Sequence, residues 1–343
     1  MKGILLVSNF LFEKGKGSRM VCEELAGKLA EEGRTVIKTS NKVARVSRLY
    51  DMLHTTWARR RDYDMAHVAV FSGPAFLWAE STCELLKRLK KPFALTLHGG
   101  NLPQFARKHP ARVRRLMRSA RVVVAPSEFL KEQMKPYAPW IKVIPNAVDL
   151  SHYLFRERTF ASPSLIWVRA FDRIYNPMLA PRVLRLVADD FPGVRLTMVG
   201  PDKDDGSFQE TVRVARELGV EQRIRFAGGI PKEDIPLWLH CGDIFLNTTN
   251  VDNTPVSVIE AMACGLCVVS TGVGGIPHLI TDGRDGLLVP PDNPAAMAQA
   301  IRRVLCNPVV ARTLSSDARA KVESFDWSVI LPKWRAVFRL LEE

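Results

Sequence analysis

Short apolar runs alternate with helical patterns along the whole chain, and this alternation constrains the fold more than any other feature. The runs are continuously apolar, whereas a strand with one wet face would alternate apolar and polar residues. Parallel sheets covered by helices on both faces require such runs, so we predict an α/β chain of doubly wound parallel sheets. The strand-like runs are Ile4–Val7, Val36–Ile37, His67–Phe71, Phe93–Leu97, Val122–Ala125, Val143–Ile144, Leu165–Val168, Leu196–Val199, Ile224–Phe226, Ile244–Leu246, Val268–Val269 and Leu287–Val289.

The length of 343 residues exceeds what a single hydrophobic core usually supports. A polar, turn-rich stretch from Asn146 to Pro163 separates the runs into two series. We therefore predict two Rossmann-like domains, residues 1–155 and 156–325, facing each other across a cleft. A final amphipathic helix, 326–343, is expected to cross back to the first domain. Ligands of such sheets bind beyond the carboxyl ends of the strands.

The positive charge of the chain is concentrated in its first half. Residues 1–160 contain 29 Lys and Arg against 14 Asp and Glu, a net charge of +15, and residues 161–343 contain 20 against 22, or −2. A one-sided field attracts anionic partners, so an anionic membrane surface or an acidic acceptor is expected at the first domain. Stacking aromatic side chains are not interleaved with these charges, and no nucleic acid is expected as a partner.

The expected location is cytoplasmic, with peripheral association at the inner face of the membrane. No apolar run reaches the ~18 residues that span a bilayer. The start of the chain lacks the apolar segment and cleavage site of a signal peptide. Cys264 and Cys267 form a lone pair without a second such motif, which favours core packing over a zinc or redox role.

The segment from Asn247 to Gly265 follows a predicted strand and contains the most informative pattern. Asn253 or Thr254 is suited to capping a helix, which would leave the backbone N–H groups of Val256 and Ser257 unpaired. Those donors predict a site for a diphosphate. Asp252 would accept hydrogen bonds from sugar hydroxyls, and Glu260 would reach ribose hydroxyls. The simpler alternative is that Asp252 only caps the helix and Glu260 lies on a solvated face.

This segment resembles the Glu-x7-Glu signature of the family 4 glycosyltransferases, which have the GT-B fold. Asp252 stands in place of the first glutamate, and Glu260 is the second. The segments Ile144–Asp149, Gly274–Pro277 and Asp282–Pro290 strengthen the resemblance, which covers essentially residues 90–330. The resemblance implies a retaining, metal-independent hexosyltransferase that uses a nucleotide-diphospho-sugar as co-substrate and needs no cofactor. The shorter Asp252 side chain leaves the donor sugar open.

The resemblance also implies a cation pair for the donor diphosphate, after the predicted strand that ends at Val168. Arg169 matches the arginine of the family. The position of the family lysine, just before Asn176 and Pro177, holds Tyr175, so Arg173 either supplies the second cation or the phosphates receive only one. The alternative is that these arginines are ordinary surface residues.

Two further sites in the first domain follow from the resemblance. His98, at the end of a predicted strand, corresponds to a histidine that the family places near the donor sugar, although a lone histidine is more often a satisfied core residue. The loop containing Gly15 and Gly17 resembles one that approaches the donor phosphate. The pair Asp202 and Asp204 is interpreted as a solvated turn, and no metal site is predicted.

We therefore predict transfer of a sugar to a saccharide or lipid-linked acceptor in the synthesis of a polysaccharide or other cell-surface glycan, or of a glycolipid. A non-catalytic nucleotide-sugar-binding protein and a nucleotide-sugar epimerase of similar fold are the alternatives. The predicted catalytic residues are Asp252, His98 and Arg169. The predicted donor-binding residues are Gly15, Gly17, Arg173, Tyr175, Asn253, Thr254, Val256, Ser257 and Glu260.

Overall fold

The described chain forms two parallel sheets, each in its own unit. The structure is a computed structural model and describes residues 3–10 and 21–343. The first unit comprises residues 1–147 together with 328–343, and the second comprises residues 148–327. The two sheets confirm the predicted doubly wound α/β class.

The first unit contains a six-stranded sheet in the order β2-β1-β3-β4-β5-β6. Strands β1 and β4 are buried along their whole length, as expected for a parallel sheet covered by helices. The elements are β1 Gly3–Val7, α1 Val21–Glu31, β2 Val36–Thr39, α2 Arg45–Ala58, β3 Tyr63–Val70, α3 Phe76–Arg88, β4 Phe93–Leu97, α4 Leu102–Lys108, α5 Pro110–Ser119, β5 Val122–Ala125, α6 Glu128–Met134 and β6 Lys142–Val143.

The second unit contains a six-stranded parallel sheet in the order β12-β11-β10-β7-β8-β9. The strand order reverses between β7 and β10, which are hydrogen-bonded neighbours. The elements are β7 Ser164–Val168, α7 Leu179–Ala188, β8 Arg195–Val199, α8 Ser207–Glu217, β9 Ile224–Gly228, α9 Ile235–Leu239, β10 Ile244–Asn247, α10 Val256–Ala263, β11 Cys267–Thr271, α11 Ile276–Leu279, β12 Leu287–Val289, α12 Pro294–Cys306 and α13 Pro308–Val322. The chain then ends in helix α14, Trp327–Glu342.

Helix α14 belongs to the first unit from Ser328 onward. The Trp334 ring meets the edge of His67 at 5.1 Å, and Arg335 Nε donates to Glu32 at 2.8 Å. Leu341 and Ile330 are also buried. The apolar stripe that marks α14 in the sequence is therefore covered by contacts within this unit.

Two element boundaries differ from the sequence pattern. Strand β3 begins at Tyr63, four residues before the predicted run, because the Tyr63 side chain is buried and donates to the carbonyl of Thr56 at 2.8 Å. Helix α10 begins at Val256 with Pro255 at the capping position and no side-chain cap. The prediction that Asn253 or Thr254 caps this helix is therefore wrong: the intervening proline is extended and separates both residues from the first helical turn.

Cys264 and Cys267 are buried and pack within the two hydrophobic clusters of the second unit. Burial raises the thiol pKa to about 11 for Cys264 and about 12 for Cys267. A thiol is a nucleophile and a metal ligand mainly as the thiolate, so these values suit inert core residues.

Candidate functional site

The carboxyl ends of β7 and β10 lie side by side at the point where the strand order of the second unit reverses. Open α/β sheets bind their ligands at such a switch point. Arg169 follows β7 directly, and Asp252 lies in the loop between β10 and α10. Two side chains 83 residues apart in sequence are thus brought to one position by topology.

Arg169 and Asp252 form an ion pair there, with Arg169 Nη2 donating to Asp252 Oδ2. Asp252 Oδ1 accepts a second hydrogen bond, from the backbone N–H of Asn253 at 2.8 Å. The side chains are 18% and 13% exposed, so both charges are partly desolvated and still open to a ligand. The pair therefore presents a fixed guanidinium beside a fixed carboxylate.

The guanidinium of Arg169 also stacks on the ring of Tyr175, with Cζ 4.3 Å from the ring centroid. Burial lowers the pKa of Arg169, and the group stays cationic, as arginine does in proteins. Within the described residues, Arg169 Nε has no hydrogen-bond partner. A buried N–H donor of this kind is available to an anionic ligand.

Tyr175 is held in place by the end of β10. The Thr248 hydroxyl donates to the Tyr175 carbonyl at 2.7 Å and accepts from Trp167 Nε1 at 2.9 Å. The N–H of Asn250 donates to the carbonyl of Ile174 at 2.8 Å. These bonds tie the loops after β7 and β10 together, so the platform under Arg169 is fixed by backbone contacts.

Glycines allow the backbones around the ion pair to touch. A Cβ at Gly274, where φ is +53°, would lie 2.1 Å from the Asp252 carbonyl oxygen. A Cβ at Gly275 would lie 2.2 Å from the Asn253 carbonyl oxygen, and one at Gly200 would lie 1.6 Å from that of Arg169. Any side chain at these positions would push the loops apart, so the glycines fix where the two charges stand.

Glu260 forms a second ion pair, inside α10. It is 3% exposed, accepts a hydrogen bond from the Tyr153 hydroxyl at 2.8 Å and pairs with Lys232 Nζ. Lys232 lies in the loop after β9, where its side chain is 19% exposed. The interpretation of Glu260 as a residue of a solvated face is therefore wrong, because the face of α10 that carries it is covered.

The start of α10 lies between these two pairs. The first N–H groups of a helix have no acceptor within it, and at α10 these include Val256 and Ser257. Ser257 is 8% exposed, and its hydroxyl has no hydrogen-bond partner in the described part of the chain. Asn253 is 5% exposed and Thr254 is partly buried. The region offers donors to an anion but has no side-chain cap of its own.

Arg173 is not drawn into this group. Its side chain is 64% exposed, 3.8 Å from Glu210, and its Nε donates to the carbonyl of Asp205 at 3.3 Å. The aspartates Asp202 and Asp204 form a turn in which Asp202 Oδ1 accepts from the Asp204 N–H at 2.9 Å. Over residues 3–10 and 21–343 no group of three or more His, Cys, Asp or Glu could hold a metal ion.

His98 belongs to the first unit, directly after β4. Its ring stacks on Phe71 with centroids 5.1 Å apart, and its Nε2 has no partner among the described residues. Burial lowers the pKa of His98 to about 4. The ring is therefore neutral at physiological pH, and one of its nitrogens is a free acceptor or donor. Gly15 and Gly17 lie outside the described residues.

Sequence reasoning missed Lys232 and Tyr153. Lys232 follows the carboxyl end of β9, and the rule that ligands bind beyond strand ends would have drawn attention to it. Tyr153 lies in the segment interpreted as a linker, yet it is 5% exposed and packs in a hydrophobic cluster of the second unit. No local pattern marks it, because its partner Glu260 is 107 residues away.

The chain matches two protein-family models in succession. Residues 9–152 match "Glycosyltransferase Family 4", and residues 162–307 match "Glycosyl transferases group 1". The second match contains both ion-pair carboxylates. The chain is 99% covered by a sucrose-phosphate synthase from Thermosynechococcus elongatus, with a TM-score of 0.83, 20% identity and 99% coverage of that chain. Anabaena HepE, solved with UDP and glucose, gives a TM-score of 0.79 at 18% identity, covering 99% and 100%.

Curated relatives are similar over parts of their length. A D-inositol 3-phosphate glycosyltransferase from Streptomyces bingchenggensis is 31% identical over 162 residues, 44% of this chain and 36% of the relative. One from Streptomyces avermitilis is 25% identical over 298 residues, 79% of this chain and 64% of the relative. The chain thus aligns with between about a third and two thirds of these relatives. The two successive matches and the paired sheets place the chain in family 4 of the glycosyltransferases, with the GT-B fold.

Proposed function

We propose that the chain is a retaining glycosyltransferase that moves a hexosyl group from a nucleotide-diphospho-sugar to a saccharide or lipid-linked acceptor without a metal ion. The observation that carries this proposal is the Arg169–Asp252 pair at the switch point of the second sheet. The buried Glu260 lies further along α10. The Asp252 carboxylate, the Arg169 guanidinium and the Glu260 carboxylate suit the sugar, the diphosphate and the ribose of such a ligand, respectively.

Each part of the donor has a matching group. Asp252 can accept hydrogen bonds from sugar hydroxyls, since Arg169 and the Asn253 N–H each occupy one oxygen and each carboxylate oxygen has a second lone pair. Arg169 and the N–H groups of Val256 and Ser257 would hold the diphosphate. Glu260, oriented by Tyr153 and Lys232, would accept from the ribose hydroxyls.

The reaction develops negative charge on the departing phosphate. The bond between the sugar C1 and the phosphate oxygen breaks, and a bond from the acceptor oxygen to C1 forms on the same face. The acceptor proton passes to the departing phosphate oxygen. Arg169 stabilises the charge that appears there, because a fixed cation in a partly desolvated site needs no reorganisation when the charge develops. Its Tyr175 platform holds it in that orientation.

The relatives support the classes of donor and acceptor. Solved structures of Anabaena HepE contain UDP or UDP-glucose, and we propose a uridine or related nucleotide sugar as the donor. The curated relatives named for D-inositol 3-phosphate and the charge of +15 on residues 1–160 both favour an anionic acceptor. We further propose a cytoplasmic enzyme, peripheral on the membrane, that acts in the synthesis of polysaccharides or other cell-surface glycans and glycolipids.

A panel of nucleotide sugars tests the proposal. The protein is incubated with each donor, with and without inositol phosphates and lipid extracts as acceptors, in the presence of a chelator. We expect release of a nucleoside diphosphate from one donor and an anomeric configuration in the product that matches the donor by NMR. Absence of both nucleotide release and nucleotide binding for every donor would contradict the proposal.

One observation favours a second candidate, a non-catalytic nucleotide-sugar-binding protein. Tyr175 stands at the position of the family lysine, and the exposed Arg173 is turned toward Glu210, so Arg169 would meet the diphosphate without a second cation. Binding of a nucleotide sugar without release of nucleotide in the same panel would establish this candidate. Conversion of one nucleotide sugar into another without transfer would instead show the epimerase.

A further inference from the structure

Helices α2, α3 and α5 form one continuous layer on the first unit. The Arg48 guanidinium of α2 lies over the Trp78 ring of α3, 4.8 Å from its centroid. Arg112 of α5 donates through Nε to Glu80 of α3 at 3.1 Å. No residue of this layer belongs to the candidate site of the second unit.

Helix α2 presents an apolar stripe to solvent. Its inner face is buried through Arg48, Met52 and Thr56, spaced four residues apart. The opposite face exposes large apolar side chains: Val46 is 82% exposed and Tyr50 is 70% exposed. Single exposed apolar residues are common on soluble proteins, but a row along one helix face marks an interaction surface.

The row extends beyond these residues at both ends. Trp57, in the last turn of α2, is 54% exposed, and Val43, just before the helix, is 58% exposed. Val46, Tyr50 and Trp57 lie on one helical face, where His54 stands between the last two and stacks on the Tyr50 ring with centroids 5.8 Å apart. Val43 lies just before the helix. We call Val43, Val46, Tyr50 and Trp57 the α2 stripe.

Basic residues lie at both ends of the α2 stripe. Lys42 and Arg45 precede or begin the helix, and Arg59 and Arg61 follow it, all of them exposed. Helix α5 in the same layer exposes Arg114, Arg115 and Arg118, and residues 99–127 contain no acidic residue. Asp51 of α2 accepts from the Ser40 hydroxyl, Glu80 pairs with Arg112, Glu84 pairs with Lys87, and Asp62, after α2, pairs with Arg59. Basic residues outnumber acidic ones in the layer. The outward charge of the layer is therefore positive.

We propose that this layer docks on an anionic lipid bilayer, with the α2 stripe at the boundary between head groups and acyl chains and α5 against the lipid phosphates. An amphipathic helix with aromatic residues on its apolar face and Lys or Arg beside it binds in this way. The helix does not span: in the described residues no helix is long and apolar enough to cross a membrane. The proposal gives the membrane association proposed above a specific surface, and sugar transfer does not depend on it.

An anionic bilayer fits the layer better than the other ligands of basic surfaces. A soluble polyanion would neutralise the arginines and leave Val43 and Val46 in water. A bilayer accommodates both the arginines and the apolar side chains, since its head groups supply phosphates and its interior covers the α2 stripe. Trp57, with the Arg60 guanidinium 4.2 Å from its ring centroid, has the amphipathic character that tryptophan shows at membrane interfaces.

Vesicle sedimentation of the full chain tests the proposal. Vesicles of pure phosphatidylcholine are compared with vesicles made of equal parts of phosphatidylcholine and phosphatidylglycerol. We expect binding to the anionic vesicles only. The double variant Y50S/W57S should weaken that binding by roughly tenfold or more, because two apolar anchors are lost. The triple variant R114Q/R115Q/R118Q should weaken it by roughly a hundredfold, from about 1 kcal/mol per basic residue.

Matched controls come from the second unit. Leu237 and Val309 are 70% and 74% exposed, and L237S/V309S should leave vesicle binding unchanged. All the substituted side chains are exposed, and donor hydrolysis, measured in parallel without lipid, reports whether each variant has folded. In vesicles with brominated acyl chains, part of the tryptophan fluorescence of the wild type should be quenched, and W57F should bind while losing that quenching.

Three results would overturn the proposal. The first is equal binding to both vesicle types or to neither. The second is anionic binding that Y50S/W57S leaves unchanged, since the α2 stripe would then stay outside the lipid. The third is a dimer in sedimentation velocity that Y50S/W57S abolishes, which would assign the stripe to a second copy of the chain. None of these results bears on sugar transfer.

Discussion

The Arg169–Asp252 and Lys232–Glu260 ion pairs of the candidate site are built in opposite ways. Arg169 and Asp252 join two strand-end loops and remain partly open, at 18% and 13% exposure. Lys232 and Glu260 join a loop to the body of a helix, and the carboxylate is 4% exposed. A charge that stays accessible can act on a reacting group, whereas a buried carboxylate held by both Tyr153 and Lys232 is suited to fixing a hydroxyl position. We therefore expect the Arg169–Asp252 pair to act in the chemical step and the Lys232–Glu260 pair to hold the donor in place.

Replacing Arg169 should have the largest effect on turnover. R169M removes the cation that faces the departing phosphate and leaves Asp252 without its partner. We expect kcat to fall by about a thousandfold, the loss that follows removal of one fixed charge-stabilising donor. Steady-state kinetics of donor hydrolysis and transfer would measure it.

R173M is the matched control for R169M, because Arg173 is a nearby arginine that stays exposed. We expect little change in kcat. An equal loss of kcat in the two variants would show that both arginines hold the diphosphate. The assignment of this role to Arg169 alone would then be wrong.

Breaking the Lys232–Glu260 pair should mainly lower the free energy of unfolding. K232M leaves the Glu260 carboxylate buried without its cation, and we expect a loss of about 3 kcal/mol in the free energy of unfolding. E260L leaves Lys232, which is partly exposed and can reach water, so its loss should be smaller. The double variant should be more stable than K232M alone. Denaturant unfolding of the three variants checks this order, and a K232M protein as stable as wild type would contradict the burial argument.

Tyr175 should contribute a smaller amount through Arg169. Y175L removes the aromatic platform under the guanidinium, which is worth about 1 kcal/mol and thus about a fivefold loss in kcat/KM. Y175F keeps the ring and should behave as wild type. If Y175F lost as much as Y175L, the phenol hydroxyl would be the important group and the stacking argument would fail.

The smallest effect at neutral pH is expected outside both pairs, at His98, whose protonation changes the free energy of unfolding only in acid. Burial lowers the pKa of His98 from 6.5 to about 4, so the unfolded chain binds more protons than the folded one between these values. The stability contributed by the neutral ring is complete above pH 6.5 and is lost as the pH falls toward 4. In H98F the free energy of unfolding should fall less steeply over this window. An identical pH slope in wild type and H98F would contradict the burial of the ring.

Much of the fold and half of the site could be predicted from the sequence. Continuous apolar runs specify parallel strands, and strand-end positions point to Arg169 and Asp252 because topology sets what lies at a sheet edge. The prediction of the α10 cap was wrong because Pro255 is compatible with more than one starting residue of the helix, and local propensity does not choose between them. Lys232 and Tyr153 were missed because their link to Glu260 depends on tertiary packing, which leaves no spacing in the sequence.

The α2 stripe is a second case in which spacing in the sequence does not determine the packing. Residues 46, 50 and 57 and residues 48, 52 and 56 both follow helical spacing, so the sequence does not say which set faces the sheet. Only packing against α3 settles it, through Arg48 and Trp78. Charge, by contrast, is additive and could be assigned to the first half of the chain by counting.

Calorimetric titration of a nucleoside diphosphate and of the matching nucleotide sugar into wild type, D252A and E260A tests most directly whether the two pairs hold two ends of one donor. We expect E260A to lose affinity for both ligands, since both contain the ribose. D252A should bind the nucleoside diphosphate as wild type does, bind the nucleotide sugar no more tightly than the diphosphate, and release no nucleotide on incubation. Equal affinity losses for the nucleoside diphosphate in D252A and E260A would contradict the division of the site into a sugar end and a ribose end.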